Sequence, residues 1–521
     1  MPRYFNTAGA CHPAKHYILP PEERIPGVRD FIDRGLYFVV HAPRQSGKTT
    51  CFRALAESLT ASGQYTALLT TCETGQKLEP DIEASIGAVL ATLHQRAEIS
   101  LPAELRPPRP DASIAPEARV RDLLTRWSQG SPLPVVLFLD EIDALHGDAL
   151  ISVLRQLRSG YDERPAGFPH SVALIGLRDV RDYRLQVRPD SQALGTSSPF
   201  NVKVESVTLS NFTAAQVAEL YGQHTADTGQ VFTPEARALA WELTRGQPWL
   251  VNALARQAVE KVAPDPATPV TPAVIEAAKE ILIQRRDTHL DSLIDRLREP
   301  RVRRVIEPIL AGELLPPESL DDDIQFVLDL GLAAAGPRGL EIANPIYREV
   351  IPRALTWVME QSMAFSRAAY ITPEGRLRFD LLLDDFRAFW CENAEAFLAR
   401  APYSEAAAQL VFMAFLHKIV NGGGFIDREL AVGSGRIDLC VRWPSPAGVE
   451  RWAVELKVWR DDRTDPLASG LTQLAAYLKR LGLDQGTLIL FDTRTIAPSL
   501  PERCSTEDRE HEGRRITILR L

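Results

Sequence analysis

Two stretches of this chain place side chains that could work on phosphates. The first is His41 to Thr50, which reads His-Ala-Pro-Arg-Gln-Ser-Gly-Lys-Thr-Thr between an apolar run, Tyr37 to His41, and a helically spaced stretch, Thr49 to Leu59. It fits the phosphate-loop spacing G-x-x-x-x-G-K-[ST], with Ala42 where the first glycine is expected, an exchange the loop accepts only if that residue keeps a negative φ. A strand, loop and helix in this order let the backbone amides around Ala42, Pro43, Arg44, Gln45, Ser46, Gly47 and Thr50 cradle phosphates at a helix N-terminus. Lys48 would neutralise the β and γ phosphates of ATP, and the Thr49 hydroxyl would ligate Mg2+. Val135 to Leu139 is an uninterrupted apolar run that delivers Asp140 and Glu141 to its end. Asp140 is placed to hold the magnesium through water, and Glu141 to polarise the water that attacks the γ phosphate.

The second stretch lies near the C-terminus. Asp438 stands in Gly433-Ser434-Gly435-Arg436-Ile437-Asp438-Leu439, and Glu455 and Lys457 alternate in Val454-Glu455-Leu456-Lys457. Side chains two apart on a strand share a face, so Glu455 and Lys457 can converge with Asp438. Two carboxylates and a lysine suit a divalent ion, Mg2+ or Mn2+, that activates water against a phosphodiester, with the Leu456 carbonyl as an extra ligand and Lys457 orienting the water or stabilising developing charge. Gln473 and Tyr477 lie i,i+4 on one face of a later helix.

The elements that must position these residues follow from periodicity. Helices are expected at 214–224, 234–244, 249–261, 381–399, 404–420 and 467–481, and strands at 426–432, 436–442, 452–459 and 487–491, with glycine turns at Gly422 to Gly424. The 521 residues, 45% hydrophobic and 24% charged, describe an ordinary globular composition with room for about three domains. A net charge of -9 argues against bulk electrostatic coating of nucleic acid and leaves local basic patches as the means of any such binding. The start lacks an apolar signal core and the longest apolar runs are too short to span a bilayer, so a cytoplasmic location without membrane contact is expected. The six cysteines form no C-x-x-C pair, so neither a disulfide framework nor a zinc site is indicated.

The phosphate loop, the Leu137-Phe138-Leu139-Asp140-Glu141-Ile142-Asp143 segment and the later Thr244-Arg245-Gly246-Gln247-Pro248 together resemble the AAA+-type ATPases of the archaeal-ATPase and STAND group, over roughly residues 15 to 350. The resemblance implies an α/β fold, a P-loop NTPase parallel sheet, with a helical lid whose Gly246, Gln247 and Pro248 lie near the nucleotide. It also implies a winged-helix-like segment built from 321–332 and 340–350. Arg178, which ends the apolar run Val172 to Leu177, stands where that class senses the γ phosphate, with Arg155 and Arg158 as rivals for a finger reaching a neighbouring subunit of a homo-oligomer. The arginines 296, 298, 301, 303 and 304 read as a solvated helix face with acidic neighbours, or as phosphate contacts.

The order helix, three strands, helix, strand, with Asp438, Glu455 and Lys457, resembles the PD-(D/E)xK nuclease superfamily over about residues 400 to 495, an α/β restriction-endonuclease-like domain. That likeness implies Glu405 as a further metal ligand on the first helix and Gln473 and Tyr477 near the substrate; Glu429 is a weaker candidate. The expected domains are a P-loop ATPase core at 1–204, a lid at 205–282, a winged-helix-like domain at 283–353, a helical connector at 354–399 and the nuclease-like domain at 400–521. The leading functional expectation is an ATP-regulated, Mg2+-dependent DNA endonuclease. The alternative is a STAND-like ATPase switch whose C-terminal domain binds nucleic acid or protein without cleaving.

Overall fold

The computed structural model describes residues 3–75, 81–177, 203–285, 293, 295–310, 315–316, 321–337, 339–362, 367–400, 407–420, 423–432, 435–461 and 464–521. The chain divides into two compact units, Met1–His289 with Leu320–Ala333, and Leu290–Ser319 with Ala334–Leu521.

In the first unit five strands, β1 (Tyr37–His41), β2 (Thr66–Thr71), β3 (Val135–Asp140), β4 (Ser171–Gly176) and β5 (Lys203–Thr208), form one sheet in the order β2-β3-β4-β1-β5, and its pairings are parallel. The inner strands β1, β3 and β4 are almost wholly apolar because both of their faces are covered. Tyr37, Val39, Leu137, Leu139, Val172 and Leu174 face one helical layer, while Phe38, Val40, Val136, Phe138, Ala173 and Ile175 face the other with Phe52 and Leu55 of the helix Lys48–Ala61. Strand β5 runs across the expected limit at 204, so the sheet continues to Thr208.

The helices that follow β5 start where their caps dictate. Thr213 makes a reciprocal capping box with Gln216 ahead of Ala214–Thr228, Thr233 precedes Pro234 of Pro234–Thr244, and the Gln247 side chain accepts from Leu250 N ahead of Pro248–Gln257. A π turn, Ala258–Val262, continues that last helix, and Pro272–Arg285 completes the group. The N-terminal residues lie along it: Phe5 packs with Tyr17, Tyr221, His224 and Phe232.

The second unit is built on a mixed six-stranded sheet, β8 (Phe425–Val432), β9 (Gly435–Ser445), β10 (Gly448–Trp459), β11 (Gln485–Asp492), β12 (Ser505–His511) and β13 (Arg514–Arg520), in the order β12-β13-β11-β10-β9-β8. β9 runs antiparallel to both β8 and β10, whereas β10, β11 and β13 run parallel. Val454 and Leu456 face a core made with Phe386, Trp390, Phe412 and Phe415 of the helices Phe379–Arg400 and Ala407–Val420. Ala453 turns to the opposite face, under Leu471, Leu474 and Leu478 of the helix Leu467–Leu481. The hairpin β12–β13 extends the sheet beyond the last strand expected from periodicity. The segment expected to be a winged helix contains the helix Asp322–Asp329, which clusters with the first unit, and the hairpin β6 (Ala333–Gly336) and β7 (Gly339–Ile342), which lies almost wholly in the second. In the arginine-rich run, Arg296 pairs with Glu299 and Arg298 with Asp295, the local partners that a solvated helix face calls for. Among the described residues no helix is long and apolar enough to cross a membrane, and all six cysteines are free thiols.

Candidate functional site

The loop 42–47 leaves β1 and turns into the helix Lys48–Ala61 at Gly47, whose φ of 94° is the left-handed value that favours glycine. Gln45 is also left-handed, at φ 58°, whereas Ala42 keeps a negative φ, which is why alanine can stand in the first glycine's place. Lys48 Nζ folds over the loop and donates to the carbonyls of Ala42 at 2.6 Å and Pro43 at 2.9 Å. Burial, only partly offset by Asp140, Asp143 and Glu141, pulls its ammonium down to about 8. Thr49 Oγ1 donates to Asp140 Oδ2 at 2.6 Å, so the hydroxyl and carboxylate from two separate elements already meet. Thr50 Oγ1 accepts from Cys11 N at 3.0 Å, which ties the N-terminal segment to the same helix.

Asp140 ends β3 almost fully buried, 3% exposed. Burial raises its carboxyl above the ordinary value, against the pull of Thr49 and Lys48. Glu141 follows in a left-handed conformation, φ 55°, an uncommon state for this residue type and one that turns the side chain off the strand direction. Its Oε2 accepts from Thr71 Oγ1 at 2.9 Å, and burial raises its carboxyl as well. Beside Thr49 and Asp140 opens a groove of about 310 Å3, bounded by Arg53, Glu57, Thr71 and Arg96. Arg178 lies outside the described residues.

Arg24 is a residue the sequence reading passed over. Its guanidinium is buried, donating to Ser46 O at 3.4 Å and Ser210 O at 2.6 Å, and it stacks 4.4 Å over Phe212. One side chain thus spans the phosphate loop and the segment that leads from β5 into the lid. Phe212 N in turn donates to Gly246 O at 2.8 Å, which brings the Gly-Gln-Pro element into the same junction.

The second site forms on the face of β10 beneath the helix Leu467–Leu481. Asp438 Oδ2 accepts from Leu456 N at 2.8 Å. Glu455 is fully buried, with Oε1 bound to Lys457 Nζ at 2.7 Å and Oε2 buried without a hydrogen-bond partner among the described residues. Lys457 Nζ also donates to Gln473 Oε1 at 3.0 Å, and Gln473 Nε2 to Tyr477 OH at 3.1 Å. A continuous line of side-chain hydrogen bonds thus runs from Glu455 through Lys457 and Gln473 to Tyr477, with Asp438 bound to the intervening Leu456 N–H. Burial, with Asp438 nearby, pushes the Glu455 carboxyl up to about 8 despite Lys457. For Lys457, burial works against the charge but Glu455 and Asp438 outweigh it and hold the ammonium above its ordinary range. Glu405 lies outside the described residues, as does the side chain of Glu429. Among the described residues no three His, Cys, Asp or Glu side chains group as a metal-binding cluster.

Comparison with known proteins bears on the first unit. Residues 32–183 match the family described as AAA domain, a span that holds β1 to β4, the phosphate loop and Asp140 with Glu141. Solved structures with a similar backbone include a Walker-type ATPase of Pyrococcus abyssi, at 13% identity over 67% of this chain and 99% of that one, TM-score 0.46. They also include the Holliday junction branch migration motor RuvB of Thermotoga maritima, at 15% identity over 62% and 91%, TM-score 0.34, and Cdc6p of Pyrobaculum aerophilum, at 12% over 65% and 96%, TM-score 0.35. No curated protein matches the sequence. The N-terminal part carries a parallel-sheet P-loop fold of the AAA type, a nucleotide-binding ATPase fold, and a separate mixed sheet follows it.

Proposed function

We propose that this chain is an ATP hydrolase whose C-terminal unit is a metal-dependent nuclease of the PD-(D/E)xK kind, acting on DNA under the control of nucleotide state. At the first site the chain's own groups do the following. The Gly47 turn and the loop amides receive the polyphosphate, and Lys48 exchanges its two carbonyl contacts for phosphate oxygens. Glu141, released from Thr71, accepts the proton of the attacking water. Thr49 and Asp140 fit a magnesium ion, because a hydroxyl and a buried carboxylate are already in contact there.

At the second site the observation that carries the reading is the line from Glu455 through Lys457 to Gln473 and Tyr477, with Asp438 on the adjacent Leu456 N–H and a buried carboxylate oxygen, Glu455 Oε2, that has no hydrogen-bond partner among the described residues. An unsatisfied buried carboxylate oxygen costs stability unless something pairs with it, and a hard divalent cation is the natural counterpart. Asp438, Glu455 and the Leu456 carbonyl would hold Mg2+ or Mn2+, which when bound supplies Lewis-acid polarisation of the scissile phosphate and of water. Lys457 keeps its charge beside the reacting phosphate, and Gln473 and Tyr477 fix its position. Glu405 and Arg178 complete the proposal as a third carboxylate for the metal and as γ-phosphate sensor, and a homo-oligomer would supply any finger from a neighbour.

The non-cleaving switch keeps one observation in its favour: only two carboxylates converge among the described residues of the second site. The deciding experiment is magnesium- or manganese-dependent cleavage of labelled single- and double-stranded DNA and RNA, with and without ATP, by the native chain, Asp438→Ala and Lys48→Ala. Cleavage that Asp438→Ala abolishes supports the nuclease, and the Lys48→Ala result shows whether nucleotide gates it. ATP hydrolysis with no cleavage under any condition transfers the conclusion to the binding-only switch.

A further inference from the structure

Strands β10 and β11 are parallel and end in register, Trp459 opposite Asp492. Ligands of open sheets bind beyond the carboxyl ends of parallel strands, and here the two loops that leave those ends are laced together. Thr493 donates to Trp459 O from its amide at 2.9 Å and its hydroxyl at 3.0 Å, and Thr495 N donates to Asp461 at 3.1 Å. Within this frame Asp492 grips Arg494 with both oxygens, Nε to Oδ1 at 2.8 Å and Nη2 to Oδ2 at 2.6 Å. The grip fixes the guanidinium plane, which lies 3.4 Å over the Trp459 ring. Arg494 Nη1 has no partner among the described residues, and the side chain is 20% exposed. Ile496 in the same loop is 79% exposed.

We infer, on the reading of the second unit as a nuclease, that the Trp459–Arg494 stack is a nucleobase platform that seats a base of the substrate strand further along β10 from the Asp438, Glu455 and Lys457 centre. Trp459 shares its β10 face with Glu455 and Lys457 by strand alternation, and lies about 13 Å beyond Glu455 along the strand. The ligand is a flat group and not a phosphate, because Asp492 cancels the Arg494 charge and Asp461 and Asp465 add negative potential around it; bases splayed from a strand stack on such guanidinium and aromatic planes. The plane is also held before any ligand arrives, so little ordering is required on binding.

The test uses the full chain carrying Asp438→Asn, which retains an oxygen for Leu456 N–H while removing a metal-binding charge, and fluorescence anisotropy with labelled single-stranded DNA and RNA of equal sequence. Into this parent are placed Trp459→Ala, Trp459→Phe, Arg494→Ala and Arg494→Lys. Trp459→Ala and Arg494→Ala are expected to lose roughly tenfold in affinity, the low end of what one stacked base contributes. Trp459→Phe is expected to retain most of it, and Arg494→Lys, which keeps charge but not the plane, to lose as much as alanine. Oligonucleotides with an abasic site stepped along the strand give the readout that a merely structural stack would not move: one abasic position should weaken the parent and leave the alanine variants unchanged. A flat abasic scan in a parent that binds DNA overturns the platform alone. A parent that binds no nucleic acid overturns the platform together with the nuclease reading.

Discussion

Replacing Gly246 by alanine tests whether the junction between the core and the lid is packed as tightly as the structure places it. Gly246 sits at φ +71°, and an added Cβ would stand 1.8 Å from Phe212 O and 2.8 Å from its carbonyl carbon. Phe212 cannot step back freely, because its N donates to Gly246 O, its O accepts from Trp241 Nε1 at 3.2 Å, and its ring lies under Arg24. Gly229 provides the internal comparison: it ends the helix Ala214–Thr228 at φ +78° with nothing within 4 Å of the Cβ position. Both substitutions incur the left-handed cost of about 1 kcal/mol, but only Gly246→Ala adds a backbone overlap, on the order of 2 kcal/mol or more. Thermal melting of the two variants should separate them by about 4–8 °C, at about 2–4 °C per kcal/mol for a unit of this size. Gly246→Ala should melt lower. Equal melting temperatures would refute the reasoning, since the left-handed cost alone would then account for both.

Further expectations concern the nucleotide site. Lys48, lowered to about 8 by burial, carries its proton at neutral pH and loses it as pH rises through that value, while a bound triphosphate would restore it; ATP affinity should therefore fall roughly tenfold from pH 7 to pH 9, and a flat titration with a fluorescent nucleotide would contradict this. The same depression means the folded chain binds fewer protons than the unfolded chain between about 8 and the ordinary 10.5, so this residue makes stability rise with pH across that window. Glu141→Gln should keep ATP binding and slow phosphate release by about a hundredfold or more, and unchanged turnover would remove Glu141 from the base role. Arg24→Met strands two carbonyls, Ser46 O and Ser210 O, and should lower stability by about 2–4 kcal/mol. It should also weaken ATP binding, with Arg24→Lys recovering part of both, whereas equal ATP affinity in all three proteins would show that the loop does not depend on the lid junction.

What could be read in the sequence and what could not divide along a physical line. The phosphate loop, Asp140 with Glu141, and the alternation of Glu455 with Lys457 were legible because the residues that define each are near neighbours on one element. The same holds for the helices expected at 214–224 and 234–244, which run Ala214–Thr228 and Pro234–Thr244 behind their Thr213 and Thr233 caps. Strand β5 was missed because Lys203-Val204-Glu205-Ser206-Val207-Thr208 holds only two apolar residues, Val204 and Val207, and shows neither an apolar run nor period-two alternation, as an edge strand bonded to β1 allows. The hairpin β12–β13 was missed for a related reason: Ser505-Thr506-Glu507-Asp508-Arg509-Glu510-His511 contains no apolar residue, and its strand character is imposed by pairing with β13.

Side chains that act across long sequence distances left no local signal at all. Arg24 reaches Ser46 and Ser210, 22 and 186 residues away, from a four-residue helix, Pro21–Arg24, whose composition looks like solvent-exposed surface. Only the fold shows that its charge is buried between two carbonyls. Such a placement is costly unless every donor finds an acceptor, and the acceptors chosen are one carbonyl of the phosphate loop and one of the segment entering the lid. A movement that shifts Ser210 must therefore either carry the loop with it or leave a buried guanidinium half-satisfied, which makes Arg24 a more informative residue to mutate than the motif residues that the sequence already displays.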